Sequence, residues 1–304
     1  MENQCLGLAA RVGCRPVIKR VVLNSPFKQL APFLRLGLGH AFASDSDQIM
    51  PPWPDIMIAS GRAGAMACFY AKQECKRRSV KAPFTVYIQN PVVSPSLFDL
   101  VALPRHDCVS GSNVVATRGS LHRVTPELLE EESQKFLPSL RHLKTPLVAV
   151  LIGGSNAVYR LLPEEMKKIA TQLAALAEKE NVSLLITTSR RTGTENVAIL
   201  KEALQSVPHV LWTGEGPNPY YAFLGLAEAI LVTADSVNMV SEACSTGKPV
   251  HIIPLEGGSK KFRRFHQVLQ DDGLTRVFKG ELERWQYEPL DDVGLVAARV
   301  RGLL

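Results

Sequence analysis

Cysteine is sparse and scattered: Cys5, Cys14, Cys68, Cys75, Cys108 and Cys244 form no Cys-x-x-Cys pair and have no histidine pair beside them. That pattern suits neither a zinc site nor a secreted disulfide framework, so reduced, buried thiols of a cytoplasmic protein are expected. The chain also lacks an apolar run near the roughly 18 residues that a membrane span requires, and a basic-then-apolar export signal. A soluble chain without a transmembrane segment is expected, with peripheral membrane contact left open. Aromatic residues are few, at 7%. The basic runs Lys76-Arg77-Arg78, Arg190-Arg191, Lys260-Lys261 and Arg263-Arg264 are short and do not form the aromatic-interleaved platform that single-stranded nucleic acid needs. A net charge of +6 diluted over 304 residues therefore does not point to nucleic acid. There is no G-x-S-x-G elbow, no H-E-x-x-H and no clustered carboxylate site, which argues against serine hydrolases and metalloenzymes. No metal and no resident cofactor are expected.

What is present is a chain with 46% hydrophobic and 21% charged residues, enough to bury a substantial core and long enough for two domains. From residue 146 onward, apolar strand-like runs at 147–152, 182–187, 209–212, 229–233 and 250–253 alternate with helical stretches at about 163–176, 195–207, 219–226 and 236–245. Such alternation implies right-handed crossovers and a parallel sheet covered on both faces. The first half repeats the style less cleanly, with strands expected at 17–23, 55–59, 84–89, 100–103 and 114–117 and helices at about 3–12, 27–36, 62–78 and 126–136. The fold class is α/β: two Rossmann-like domains, residues 1–143 and 144–280, with ligands expected in a cleft at the carboxyl ends of the strands. A tail, 281–304, bearing Trp285 and Tyr287, is expected to pack on the first domain.

Polar residues gather at those strand ends. Gly153, Gly154 and Ser155 follow a buried strand, and the glycines would let backbone amides approach an anion. A ligand-free tight turn is the alternative, since the run matches neither the Walker pattern nor G-x-G-x-x-G. Arg190 and Arg191, set among Thr187, Thr188, Ser189 and Thr192, offer planar forks for phosphate, or are simply a solvated loop. Asp235 or Ser236 can cap the helix after the fourth strand, so that its first turn presents amides to the cleft. Glu242 lies four positions beyond Asn238, where a carboxylate can accept two hydrogen bonds from a ribose diol; a solvent-facing glutamate is the plain alternative. Lys261 and Arg264 start a basic helix at the same edge, where a bound anion would offset the unfavourable dipole. On the first domain, Arg62, Gln89 and Asn90 form an acceptor-side group. His106 beside Asp107 can serve as a general base, since an imidazole near its ordinary pKa of ~6.5 takes a proton at neutral pH.

The run Val232-Thr-Ala-Asp-Ser-Val, followed by Ser241-Glu-Ala-Cys-Ser-Thr-Gly-Lys-Pro249, resembles the signature of the ELM-type mitochondrial-fission family of plant and bacterial proteins. Glu2-Asn3-Gln4, the run from Phe98 to Asp107, Asn218-Pro219-Tyr220 and Trp285-x-Tyr287-x-Pro289-Leu290 match as well, so the resemblance extends along the whole chain. The second domain also resembles the donor domain of GT-B glycosyltransferases. That likeness implies ribose binding by Glu242, a diphosphate at the helix start of Asp235 and Ser236, and a nucleotide diphosphate or nucleotide-sugar as ligand. Metal-independent glycosyl transfer is one implied function. A scaffold that acts through protein partners, as the plant members do in fission, is the other. In relatives the Glu-Asn-Gln motif follows an opening strand and a glycine-containing loop, whereas Met1 stands directly before Glu2 here. The first strand of the N-terminal sheet is therefore expected to be missing, either because the start is truncated or misassigned or because the sheet begins with an exposed edge.

Overall fold

Short runs of Val, Ile, Leu and Phe in the first part of the chain pair side by side into a parallel sheet. In the computed structural model, which describes residues 1–304, these strands are β1 (Ile56–Ser60), β2 (Phe84–Ile88), β3 (Leu100–Pro104) and β4 (Val114–Thr117), in the order β1-β2-β3-β4. Helices α1 (Glu2–Val12), α2 (Phe27–Leu30) and α3 (Gly61–Arg78) accompany them. Alternation along the strands sends Tyr87, Val101 and Leu103 to one face, against Met66 and Phe69 of α3. Val86, Ile88, Leu100 and Ala102 go to the other face, against Leu8 of α1. The chain's last helix, Asp292–Arg301, returns to this second face with Val293, Val296 and Val300. It is anchored by the ion pair Arg11–Asp291 at 2.8 Å.

β1 is an edge strand. Asp55 O accepts the Phe84 amide at 2.8 Å, so the alternate residues Ile56 and Ile58 turn their N–H and C=O groups away from β2. Residues 17–23 do not form the expected strand. Their polar groups go instead to the 41–47 loop: Val22 N donates to Ser46 Oγ at 2.7 Å and Arg20 N to Asp47 Oδ2 at 2.6 Å, and an isolated bridge links Leu23 to Phe42. Val17 consequently stays 81% exposed. The helix expected over 27–36 closes at Leu30, because Pro32 has no N–H to continue it.

The second unit holds α4 (Pro126–Leu140), β5 (Leu147–Ile152), β6 (Tyr159–Arg160), α5 (Pro163–Glu180), β7 (Ser183–Thr188), α6 (Thr194–Ala203), β8 (His209–Trp212) and α7 (Tyr220–Leu226). It continues with β9 (Ala229–Thr233), α8 (Val237–Cys244), β10 (Val250–Ile253), β11 (Glu256–Gly257), α9 (Lys260–Asp271) and β12 (Thr275–Val277). Six of the strands form a parallel sheet in the order β12-β10-β9-β5-β7-β8. Every residue of β5, β7, β9 and β10 is buried, which is why these strands read as unbroken apolar runs. Strand order reverses between β5 and β9, and the loops after those two strands therefore flank the crevice where open α/β sheets take ligands.

The two units comprise residues 1–123 with 291–304, and residues 124–290. The boundary thus falls earlier than the expected 143/144, because α4 belongs to the second unit. It crosses α7 so closely that a Cβ on Gly225 would lie 2.3 Å from Ser133 Oγ and 2.8 Å from Leu129 O. The expected tail is divided as well. Trp285 Nε1 donates to Gly273 O at 2.9 Å and the Tyr287 hydroxyl to Lys248 O at 2.6 Å, which holds both aromatic residues on the second unit. Only residues 291–304 join the first.

Candidate functional site

The edge of the second unit is organised around the buried carboxylate of Asp235. Ser236, not Asp235, caps α8, its hydroxyl accepting the Met239 amide at 3.3 Å. Asp235 turns inward instead. Its Oδ1 accepts the Thr233 hydroxyl at 2.7 Å, and its Oδ2 accepts the Gly154 amide at 3.1 Å and Arg191 Nη2 at 2.7 Å. Gly153 N donates to Thr233 Oγ1 at 2.8 Å. Glycine is required at both loop positions for space: a Cβ would stand 2.2 Å from Asp235 Oδ1 at position 153 and 2.1 Å from Arg191 O at position 154.

This arrangement alters the expected role of the loop. The Gly153 and Gly154 amides, expected to face a phosphate, are spent on Thr233 and Asp235. Ser155 is likewise engaged, its Oγ accepting the Leu161 amide at 3.0 Å. Asn156 ties the same loop down, with Oδ1 accepting from Val158 N and Tyr159 N and Nδ2 donating to Asp235 O. Of the two arginines, Arg191 points in to Asp235 with its side chain 43% exposed, while Arg190 is exposed. Lys261 and Arg264 lie on exposed positions of α9, whose N-cap is Ser259. The loops after β5 and β10 are joined by the small β6–β11 ladder. There Gly257, at φ 106°, passes so near that a Cβ would sit 2.3 Å from Val158 O. His266 of α9 contacts Ala234 O through Nε2 at 2.9 Å, and burial lowers its pKa.

Glu242 lies on α8, one turn and a half beyond the Ser236 cap. It is partly buried and its Oε2 accepts the Tyr220 hydroxyl at 2.6 Å. Burial pushes its carboxyl up to about 7, partly offset by that hydrogen bond. Tyr220 is raised well above the usual phenol range, by burial and then by the neighbouring carboxylate, so it remains a donor. Sequence reasoning noted Asn218-Pro219-Tyr220 but gave Tyr220 no role, and it overlooked Thr233 and Asn156 as organisers of the loop.

On the first unit, the parallel strands bring Ser60, Gly61 and Arg62 after β1, Gln89 and Asn90 after β2, and His106 and Asp107 after β3 to one sheet edge. Gln89 adopts φ 83° and donates through Nε2 to Gln4 Oε1 at 3.2 Å. Asn90 Oδ1 accepts the Val92 amide at 2.9 Å. Arg62 is exposed in the first turn of α3, whereas His106 is buried and Asp107 partly so.

Two α/β units with parallel sheets, the second carrying a capped helix and a glutamate beside a topological switch point, define a GT-B-like protein. Consistent with that class, the chain is similar in fold to the UDP-GlcNAc 2-epimerase of Methanocaldococcus jannaschii, at TM-score 0.53 and 12% identity over 82% of this chain and 77% of that one. A candidate UDP-N-acetylglucosamine 2-epimerase from Listeria monocytogenes gives TM-score 0.50 and 13% identity, covering 82% and 73%. The chain belongs to the family described as mitochondrial fission ELM1, whose model matches residues 1–304. Mitochondrial fission protein ELM1 of Arabidopsis thaliana is 30% identical over 275 residues, which cover 82% of this chain and 63% of the relative's own length. An uncharacterized protein of Rickettsia prowazekii is 26% identical over 293 residues, covering 82% and 79%. No helix is long and apolar enough to cross a membrane.

Proposed function

We propose that residues 124–290 bind a nucleoside diphosphate or nucleotide-sugar, with the ribose on Glu242 and the diphosphate at the amino end of α8. The observation that carries this reading is the Glu242 carboxylate, partly buried one and a half turns from a capped helix start and held by a tyrosine hydroxyl at 2.6 Å. A carboxylate sheltered in this way has lone pairs for the two hydroxyls of a ribose. The Ser236 hydroxyl takes the Met239 amide, and the positive dipole end at the start of α8 favours an anion. Asp235, Thr233 and the two glycines shape the floor and do not contact the ligand. Arg191, half exposed above Asp235, is the cation nearest that floor. The chemistry to which this reading extends is glycosyl transfer without a metal.

Calorimetric titration of the full chain with UDP, GDP and their sugars tests the binding. Glu242→Ala should weaken the tightest of them by roughly 100-fold, as loss of hydrogen bonds to a charged group worth about 3 kcal/mol implies. A wild-type chain that binds none of these nucleotides refutes the proposal.

Ionisation adds a second prediction. A diol donates to the anionic carboxylate, so affinity should rise as pH increases through about 7, where Glu242 titrates, and fall below it. The sign for stability is opposite. Unfolded Glu242 ionises near its ordinary value of 4.5, and folded Glu242 only near 7. Folding is therefore penalised increasingly between those values, and the full penalty persists above them. Glu242→Gln should accordingly stabilise the second unit by on the order of 2 kcal/mol at pH 8 and by nothing at pH 4, as read from urea unfolding at the two pH values.

A further inference from the structure

We infer that Tyr220, delivered by the Asn218-Pro219-Tyr220 turn, is the positioning residue for Glu242: its hydroxyl favours the anionic carboxylate and fixes which oxygen meets the ligand. This rests on the nucleotide reading given above and assigns a task to a motif that reading left unused. The turn is built for placement. Asn218 Oδ1 accepts the Tyr220 amide at 3.0 Å, and Pro219 O accepts the Phe223 amide at 2.8 Å, so the tyrosine is fixed as the first residue of α7. The helix behind it is held against α4 by the close approach at Gly225. The Tyr221 ring meets that of Tyr220 edge-on at 5.4 Å and 76°, limiting the swing of the phenol.

From this anchored position the hydroxyl reaches Glu242 Oε2 at 2.6 Å, a length typical of a charge-assisted O–H···O⁻ bond. It occupies one lone pair of Oε2 and leaves both lone pairs of Oε1, so a cis-diol would meet Oε1 and the remaining site on Oε2. The titratable groups of the second unit that bear on the pair are the phenols of Tyr220 and Tyr221. No ion pair within the unit reaches Glu242. Within the unit it is the neutral phenol that stabilises the anion, and it does so without attracting the ligand's phosphates away from the helix start.

The test uses the full chain and Tyr220→Phe, which keeps the ring and loses only the hydroxyl. The Glu242 carboxyl is titrated by 13C NMR with 13Cδ-labelled glutamate, and UDP affinity is measured from pH 6 to 9. Removing a donor from the charged form should raise the Glu242 midpoint by about one unit. UDP binding by Tyr220→Phe should then be about fivefold weaker at pH 7 and recover to within about twofold at pH 9. Asn218→Ala, which keeps the phenol but frees its turn, should shift the midpoint in the same direction by less. A role in packing alone predicts an unmoved midpoint and an affinity loss that is equal at every pH, and either result overturns the inference while leaving the nucleotide reading intact. A wild-type chain that binds no UDP at any pH overturns the ligand assignment. In that case the NMR titration still decides whether Tyr220 governs Glu242, and an unmoved midpoint rejects that as well.

Discussion

Replacing Asp235 with alanine is expected to lower the unfolding free energy of the second unit by about 3 kcal/mol, the scale of removing one partner from a buried charge-assisted network. The Asp235 side chain is fully buried. Its loss strands the Gly154 amide, which loses its acceptor, and leaves the Thr233 hydroxyl, which still accepts the Gly153 amide, to donate only over a long 3.4 Å to Leu151 O. Arg191 suffers less, because its half-exposed side chain can return to water. Arg191→Ala should therefore cost clearly less than Asp235→Ala, although both remove the same ion pair. Asp235→Asn keeps the volume and an acceptor but sets an NH2 group against donors, and should fall between them. Urea unfolding read by Trp212 and Trp285, both in this unit, gives the ranking. Equal losses for Asp235→Ala and Arg191→Ala would place the value of the network in the ion pair and not in the loop amides.

Gly7→Ala is expected to destabilise the first unit by about 3 kcal/mol, the upper range for overpacking. A Cβ there would lie 1.9 Å from His122 O and 2.6 Å from its carbonyl carbon. The obstacle is backbone, which cannot rotate aside as a side chain would. Helix α1 would have to lift, uncovering Leu8, which is fully buried against the sheet. Gly39→Ala is the control in the same unit, since nothing lies within 4 Å of its added Cβ, and it should be neutral within about 0.5 kcal/mol. Trp53 is the reporter in this unit. A Gly7→Ala chain as stable as Gly39→Ala would mean that α1 is less tightly seated than these distances imply.

The parallel sheet of the second unit was legible because strands buried on both faces must be apolar throughout, as Leu147 to Ile152 are. Glu242 was legible by its place relative to a helix start. The direction taken by Asp235 was not: Asp235 and Ser236 are equally good caps by residue type, and only the backbone decides which one turns into the glycine loop. Tyr220 lies 22 residues before Glu242, beyond any local periodicity. Residues 17–23 carry strand composition, yet such propensity measures fit to a neighbouring strand, and here the 41–47 loop takes their hydrogen bonds. The helix 126–140 was recognisable as a helix, but its allegiance depended on the missing side chain of Gly225, a contact invisible without three dimensions.

The discontinuity of the first unit sets an order of events during synthesis. A domain folds when its own residues are available, and the second unit is complete once Leu290 has emerged. The first unit, begun earlier, still lacks Val293, Val296, Ala297 and Val300, which close its core over Leu8, Val86 and Leu100. The part of the chain made first is therefore the last to be finished. Until the final helix packs, that apolar face of the first unit stays uncovered.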